Sequence, residues 1–282
     1  MASRPERGRE FRQARFGVYP AAPWTRRLGG VRRVHVPLYT CGTVLEPMER
    51  LHIPVIPYRI DGHLEAEELP ELEEGEFLLY TNYFGIKEKY VDRLASRYGG
   101  RLVVDNALAL YSPARPGVVE RDESLPDAAF LLGCLERGPE RASAACGRNE
   151  RRLENAPLRK MSRLTERLMR GIDYEQARLR RMDNFLFLHE RLGHLNRLSV
   201  DPDSLSAPFC YPFWTAFPEL RNVLIDERIL VPLLWPEVLE QAPADSLERK
   251  LALHLLPLPV DQQRCGPQDM ERVVRTVENF YS

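Results

Sequence analysis

One carboxylate occupies the most informative position for chemistry in this sequence. Asp105 directly follows Leu102-Val103-Val104, an apolar run typical of a buried strand, so its side chain should lie at the carboxyl edge of that strand. A carboxylate there is costly unless a partner satisfies it, and burial without a cofactor should raise its pKa. It could pair with the protonated ring nitrogen of a cofactor, or it could be a turn residue after the strand, which Asp105 alone favours.

Two more polar segments should reach the same edge. The segment Thr40-Cys41 follows one predicted strand, and Asn82 follows another. The carboxyl ends of parallel strands share one edge of a sheet, and ligands bind beyond that edge. We therefore expect the segments 39–43, 82–85 and 105–106 to lie at this edge, although Asn82 by itself is better explained as a turn residue before Gly85.

The elements that must position these residues alternate along 31–106. Apolar or β-branched runs predict strands, and apolar residues at helical spacing predict helices. Such alternation implies parallel strands joined by right-handed crossovers, in an α/β fold whose mostly parallel sheet is flanked by helices. The predicted strands are 31–37, 53–58, 77–81 and 101–105, and the predicted helices or helical turns are 43–51, 65–72 and 87–98.

The pattern changes beyond residue 106. The clearest helix begins at Asp173, and its apolar residues recur every three or four positions. Further on, the predicted strands are 208–214, 223–225 and 229–231, and the predicted helices are 243–255 and 267–280. The predicted domains are a poorly ordered basic lead-in at 1–30, a shortened α/β large domain at 31–160, connecting long helices at 161–200 and a small C-terminal α+β domain at 201–282.

The charge balance and the cysteines argue against several classes of protein. The 40 basic and 41 acidic residues give a net charge of −1, so neither a nucleic-acid nor a membrane partner is expected. The number of cysteines, five, is odd, and no two lie at metal-ligand or redox-pair spacing. We therefore expect a reduced, cytoplasmic protein without a metal. The arginine-rich start lacks the apolar core of an export signal.

Several segments, taken in order, resemble the sugar-nucleotide aminotransferase group of fold type I pyridoxal-phosphate enzymes. The resemblance covers 31–111 and 156–282, and it depends on the order and spacing of the segments more than on any one motif. It implies the large domain of that fold, here incomplete, with a small C-terminal α+β domain. The segments are Tyr39-Thr40-Cys41, Thr81-Asn82-Tyr83-Phe84-Gly85, Asp105-Asn106, Arg181-Met182-Asp183-Asn184-Phe185 and Pro257-Leu258-Pro259-Val260-Asp261-Gln262.

The resemblance implies pyridoxal phosphate as the cofactor. Asp105 would pair with the pyridine nitrogen, Thr40 and Cys41 would lie near the ring face, and Asn82 would line the same pocket. A nucleotide-sugar ligand is also implied. Because fold type I enzymes usually build their sites at a dimer interface, the resemblance further implies a homodimer or a heterodimer with a paralogue.

Three departures from the family pattern argue against catalysis. The family places a serine shortly before a Schiff-base lysine beyond the aspartate, but no lysine occurs here between Lys89 and Lys160. Leu108 occupies the position where the family commonly has a His or Gln that contacts the ring hydroxyl. The segment that cradles the cofactor phosphate is not recognisable before Val31. We therefore predict an aminotransferase-like protein with no catalytic residue, unable to transaminate efficiently.

Other interpretations stay open. The chain could be a non-catalytic partner or ligand-binding subunit of an active paralogue, or a working aminotransferase whose sequence lacks internal residues through an error. It could also be an unrelated Rossmann-like nucleotide-binding domain. That last interpretation ranks lowest, because Gly29-Gly30 precede the first strand and neither a GxGxxG nor a Walker sequence occurs.

Overall fold

The computed structural model describes residues 30–109, 111, 171–205, 207–261 and 266–282. The basic lead-in through residue 29 and the segment 112–170, which includes Lys160, lie outside the described residues. The chain divides into two compact units, one formed by 1–118 with 174–282 and the other by 119–173. The predicted domain boundaries stay a prediction.

A parallel sheet lies at the centre of the described structure. Its strands are β1 (Arg33–Pro37), β2 (Val55–Tyr58), β3 (Glu76–Thr81) and β4 (Leu102–Asp105). They pair in the order β2-β1-β3-β4, every pair parallel. β3 is buried along its whole length, as expected for a central strand covered on both faces. The predicted mostly parallel sheet is therefore confirmed.

Helices lie in the connections between these strands. Helix α1 (Glu46–Arg50) lies between β1 and β2, and helix α2 (Glu88–Tyr98) lies between β3 and β4. α2 is amphipathic, and its apolar residues recur at helical spacing. It ends at Gly99, whose φ of +54° is accessible to a residue without a Cβ. The residues that α2 buries are Tyr90, Val91, Leu94 and Tyr98.

The order of the strands reverses between β1 and β3. In the sheet, β2 lies on one side of β1, and β3 lies on the other side with β4 beyond it. The connections that leave β1 and β3 therefore run in opposite directions. The carboxyl ends of these two strands border a topological switch point, where open parallel sheets bind ligands.

A small antiparallel sheet belongs to the C-terminal part. β5 (Cys210–Trp214) pairs with β6 (Leu255–Pro259), with Tyr211 opposite Leu258. Both strands share one hydrophobic core with the main sheet. The helices of this part are α3 (Tyr174–Leu192), α4 (Leu220–Asp226), α5 (Val238–Gln241), α6 (Leu247–His254) and α7 (Pro267–Tyr281).

The long helix predicted after Asp173 is confirmed as α3. Its buried residues include Phe185, Leu188 and Leu192, which share one face at three- and four-residue spacing. The helix predicted at 267–280 is confirmed as α7, which begins with a proline whose fixed φ suits a first turn. No helix among the described residues combines the length and the apolar character needed to cross a membrane.

The helical turn predicted at 65–72 is wrong. Asp61 Oδ1 accepts hydrogen bonds from the N–H groups of His63 (2.8 Å) and Glu65 (2.9 Å). Such side-chain bonds give the backbone an alternative to a helix. Ala66 instead forms an isolated bridge with Ile60.

Two strands predicted near the C-terminus are also wrong. The segment 223–225 lies within α4, which buries Leu220 and Leu224 one turn apart, so burial at helical spacing outweighs the β propensity of the sequence. The segment 229–231 forms no strand. The helix predicted at 243–255 corresponds to α6, and only its last residue, Leu255, belongs to β6. Sequence reasoning missed β6 because it contains Pro257 and Pro259, and proline is rare inside strands.

Candidate cofactor site

Asp105 ends β4, as the sequence predicts. It lies opposite Thr81 in the pairing of β3 with β4. Its Oδ1 accepts a hydrogen bond from the Ala107 N–H (2.9 Å), and its carbonyl accepts one from the Asn82 N–H (2.9 Å). Burial raises the pKa of Asp105 to about 6, and the bond from Ala107 opposes this rise only in part. The predicted rise in pKa is confirmed, and the carboxylate would gain from a cationic partner.

Asn82 ties the loops after β3 and β4 together. Its side chain is fully buried. Its Nδ2 donates to Asn106 Oδ1 (3.0 Å) and to Glu88 Oε1 (2.8 Å). The loop beside Asp105 is therefore fixed by an amide that also holds the start of α2.

Thr40 lies at the switch point between β1 and β3. Its Oγ1 is 2.9 Å from Thr81 Oγ1, and both residues are buried. Since Thr81 pairs with Asp105 along the sheet, the hydroxyl pair links the loop after β1 to the edge that carries the carboxylate. Cys41 follows directly and is partly buried, and its carbonyl accepts a hydrogen bond from the Val44 N–H (3.0 Å).

Four aromatic side chains pack together beside these loops, and we call them the aromatic cluster: Tyr39, Tyr83, Phe84 and Trp235. The Trp235 ring lies edge-on to Tyr39 at 4.7 Å and stacks on Phe84 at 6.4 Å. The Tyr83 hydroxyl donates to the Tyr39 carbonyl (2.6 Å). The cluster therefore joins the loops after β1 and β3 to the segment that precedes α5.

Two members of the aromatic cluster have strained backbones. Phe84 has a φ of +57° and Trp235 a φ of +53°. A bulky residue in the left-handed region is uncommon, and such strain concentrates at functional sites. Phe84 is held by its carbonyl, which accepts a hydrogen bond from the Phe209 N–H (2.9 Å). Next to it, Gly85 comes within close range of Pro208, since an added Cβ would lie 3.6 Å from the Pro208 Cα.

Two arginines of α3, Arg178 and Arg181, have structural partners. Arg181 donates to the carbonyls of Pro208 (3.2 Å) and Phe209 (3.0 Å), so it holds the segment that contacts Phe84. Arg178 forms an ion pair with Glu175 one turn away on the exposed side of the helix. Arg181 thus fixes the position of the segment that binds the Phe84 carbonyl.

The described lysines either form ion pairs or, in the case of Lys250, are exposed on α6. Lys87 pairs with Glu65 (2.5 Å) and Lys89 with Asp201 (2.7 Å). Lys250 is exposed on α6, and Lys160 lies outside the described residues. Leu108 is partly buried and packs against the core, so it offers the site no hydrogen bond.

The structure brings the predicted site residues to one edge of the sheet. Thr40 and Asp105 are connected through Thr81, and the backbone of Asn82 contacts Asp105 directly. Thr81 and Trp235 were missed by sequence reasoning. Register counting along β3 could have found Thr81, but no local signal indicates that Trp235 packs here. No cluster of metal-ligating side chains occurs within the described part of the chain.

Comparisons with known proteins place this arrangement in a structural class. No protein-family model matches the chain, and no curated protein matches its sequence. Among solved structures it is similar to DesV of S. venezuelae, determined in complex with a ketimine intermediate, at 18% identity and a TM-score of 0.59 over 94% of this chain and 82% of that chain.

Two further solved structures, both aminotransferases, have a similar fold. The sugar aminotransferase CalS13 of Micromonospora echinospora matches at 17% identity and a TM-score of 0.60, over 93% of this chain and 84% of that chain. A DegT/DnrJ/EryC1/StrS aminotransferase of Brucella abortus matches at 16% identity and 0.58, over 95% and 85%. The chain therefore shares the fold of these aminotransferases, and a Rossmann-like nucleotide-binding domain is not favoured.

Proposed function

We propose that this chain is an aminotransferase-like protein that binds pyridoxal phosphate noncovalently and does not transaminate efficiently. The observation that carries the proposal is Asp105. It is a carboxylate at the carboxyl edge of a parallel sheet, beside the switch point, with its pKa raised to about 6 by burial. Such a group is stabilised by a cation, and the protonated pyridine nitrogen of the cofactor is one.

The residues present fit one side of the cofactor. Asp105 would hold the protonated ring nitrogen, which is what lets a bound pyridoxal ring act as an electron sink. Thr40 and Cys41 would border the ring face, and Asn82 would line the pocket while it keeps the two loops in place. Leu108 does not fit the position of a partner for the ring hydroxyl, because its side chain has no polar atom.

We infer that no lysine of this chain forms a Schiff base with the cofactor, and that this limits the chemistry. In the sequence no lysine follows Asp105 before Lys160, and Lys87 and Lys89 are held in ion pairs. A lysine in this role supplies both the covalent link to the cofactor and the group that moves the proton, and such acid–base catalysis contributes roughly 10²–10⁴-fold. We assign no catalytic residue, and we expect transamination to be slower by at least that factor.

A titration with pyridoxal phosphate tests the proposal. We expect saturable binding, followed by cofactor absorbance, that is weakened by Asp105→Asn because the ring nitrogen loses its anion. Asp226→Asn, which removes an exposed carboxylate at the end of α4, is the matched control and should bind as the unaltered protein does. Binding that is absent, or that is identical in all three proteins, would contradict the proposal.

The same proposal includes a partner and a location. A site of this fold type is commonly completed across a dimer, so we propose that the chain pairs with a second copy or with an active paralogue. Exposed apolar residues on α3, Leu179 and Leu186, support an interface there. Sedimentation that gives only a monomer, with no co-purifying paralogue, would count against pairing. The scattered cysteines support a cytoplasmic location.

A further inference from the structure

The carboxylate of Glu88 connects the start of helix α2 to the candidate cofactor site. Glu88 is the first residue of that helix, where an acid is common because it complements the helix dipole. Its side chain does more than this general role requires, since Glu88 Oε1 accepts a hydrogen bond of 2.8 Å from Asn82 Nδ2. Asn82 lies in the loop after β3, and its side chain is fully buried. The bond therefore reaches from a partly exposed helix end into the interior.

The amide nitrogen of Asn82 donates to two acceptors at once. One acceptor is Glu88 Oε1, and the other is Asn106 Oδ1 at 3.0 Å. A side-chain amide has two N–H donors on its nitrogen and an acceptor on its oxygen, whereas a charged carboxylate only accepts. The carboxylate of Glu88 therefore keeps the nitrogen of the Asn82 amide, and not its oxygen, facing Asn106.

Asn106 lies within the turn that orients the carboxylate of Asp105. The Ala107 N–H donates to Asp105 Oδ1 (2.9 Å), and the Ala109 N–H donates to the Asn106 carbonyl (2.9 Å). The side chain of Asn106 ties this turn to Asn82. A shift of Asn106 would move Ala107, and with it the hydrogen bond that orients Asp105.

We infer that Glu88 is a positioning residue of the candidate cofactor site, and that it holds the carboxylate of Asp105 in place through the Asn82 amide. The inference rests on the proposed function, in which that carboxylate pairs with the protonated ring nitrogen of pyridoxal phosphate. Such a pair is a charge-assisted hydrogen bond, whose strength depends on the placement of both partners. Without an acceptor at position 88, a buried N–H of Asn82 would lose its partner at a cost, and the amide would no longer be held toward Asn106.

Two substitutions at position 88 separate the acceptor from the charge. Glu88→Gln and Glu88→Leu both remove the charge at the start of α2, but only glutamine keeps an oxygen that can accept from Asn82. In a titration with pyridoxal phosphate, we expect Glu88→Leu to weaken binding by about fivefold to tenfold, and Glu88→Gln to bind within about twofold of the unaltered protein. Asp92→Asn, at an exposed acid one turn further along α2, is the matched control and should leave the affinity unchanged.

A double-mutant cycle with Asp105→Asn shows whether Glu88 acts through Asp105. We expect Glu88→Leu to cause no further loss of affinity in the Asp105→Asn protein, because the ion pair that Glu88 supports is already gone. A loss of the same size in both backgrounds would overturn the inference, and so would an affinity of Glu88→Leu equal to that of the unaltered protein. If Glu88→Gln binds as weakly as Glu88→Leu, only the charge matters, and the inference is equally overturned.

Amide hydrogen exchange, measured by NMR without ligand, tests the positioning independently of the cofactor. We expect the Ala107 amide to exchange about tenfold faster in Glu88→Leu than in the unaltered protein, and at a nearly unchanged rate in Glu88→Gln. An unchanged rate in Glu88→Leu, or faster exchange along the whole of α2, would overturn the role of Glu88 even if pyridoxal phosphate binds. If the unaltered protein does not bind pyridoxal phosphate but exchange at Ala107 responds as expected, the proposed function fails and Glu88 still holds Asp105.

Discussion

The raised pKa of Asp105 makes a direct prediction about stability. The pKa is about 6 in the folded protein, against an ordinary value of 3.8. A carboxyl group with a raised pKa favours folding when it is protonated and opposes folding when it is charged. Its contribution is therefore lost as the pH rises from about 4 to about 6, and it stays unfavourable above that range. Asp105→Asn removes the charge and keeps an Oδ1 that can accept the bond from Ala107.

The size of the effect follows from the two pKa values. Their separation corresponds to about 3 kcal/mol, at roughly 1.4 kcal/mol for each pK unit. This is an upper figure, because the residue Asp105 is only partly buried and solvent screening reduces the effect of a charge. We expect Asp105→Asn to raise the free energy of unfolding by about 1–3 kcal/mol near pH 7.5, and to leave it nearly unchanged near pH 4.

Urea unfolding of the protein without cofactor measures this difference. The free energies of the unaltered protein and Asp105→Asn are compared at several pH values between about 4 and about 8. Other titrating groups contribute equally to both proteins, so they cancel in the difference. Asp226→Asn, at an exposed position, should show no such dependence on pH.

Two results would refute the reasoning. The first is that Asp105→Asn is no more stable than the unaltered protein near pH 7.5. The second is that its gain in stability does not change between about pH 4 and pH 7.5. Either result would mean that the carboxylate is already satisfied in the protein alone and needs no cationic partner.

Other predictions concern the residues that frame the sheet and the site. Burial would raise the pKa of Glu76, but hydrogen bonds from His35, Arg33, the Glu73 N–H and Arg32 together outweigh it and lower that pKa to about 2. The contribution of Glu76 to stability should therefore be present above about pH 4.5 and lost as the pH falls toward 2. Glu76→Gln should lower the free energy of unfolding by roughly 3 kcal/mol near neutral pH and remove this loss of stability in acid, as measured by urea unfolding. A variant whose stability falls in acid as that of the unaltered protein does would contradict this prediction. Thr40→Val should lower the free energy of unfolding by about 1–3 kcal/mol in the same assay, because Thr81 loses its hydroxyl partner. Thr40→Ser, which keeps a hydroxyl at this position, should be nearly as stable as the unaltered protein. Trp235→Ala should lower stability by about 3–5 kcal/mol and weaken pyridoxal phosphate binding, since the aromatic cluster holds both loops; a stable variant with unaltered affinity would separate the cluster from the site.

Much of the sheet could be predicted because its strands and helices carry local signals. The apolar run before Asp105 and the helical spacing from Glu88 to Tyr98 each indicate their structure without long-range information. The position of Asp105 at a carboxyl edge follows from that local pattern. Its pKa could be predicted only in direction, because the magnitude depends on what covers the residue.

The order of the strands and the C-terminal contribution to the site could not be predicted in this way. Nothing local places β1 between β2 and β3, so the switch point beside Thr40 emerges only from the pairing. The contacts of Trp235 with Tyr39 and of Glu237 with Gly42 join residues far apart in the chain. The proline-rich β6 and the helix across 223–225 illustrate the same limit, since long-range packing outweighed local propensity at both.

The most direct test of the central claim is intact-mass spectrometry after borohydride treatment of the protein mixed with pyridoxal phosphate. A protein that holds the cofactor through Asp105 but lacks a Schiff-base lysine should bind it, release it on dialysis, and gain no stoichiometric reduced adduct. A stable adduct of one cofactor per chain, located on a single lysine, would contradict the claim.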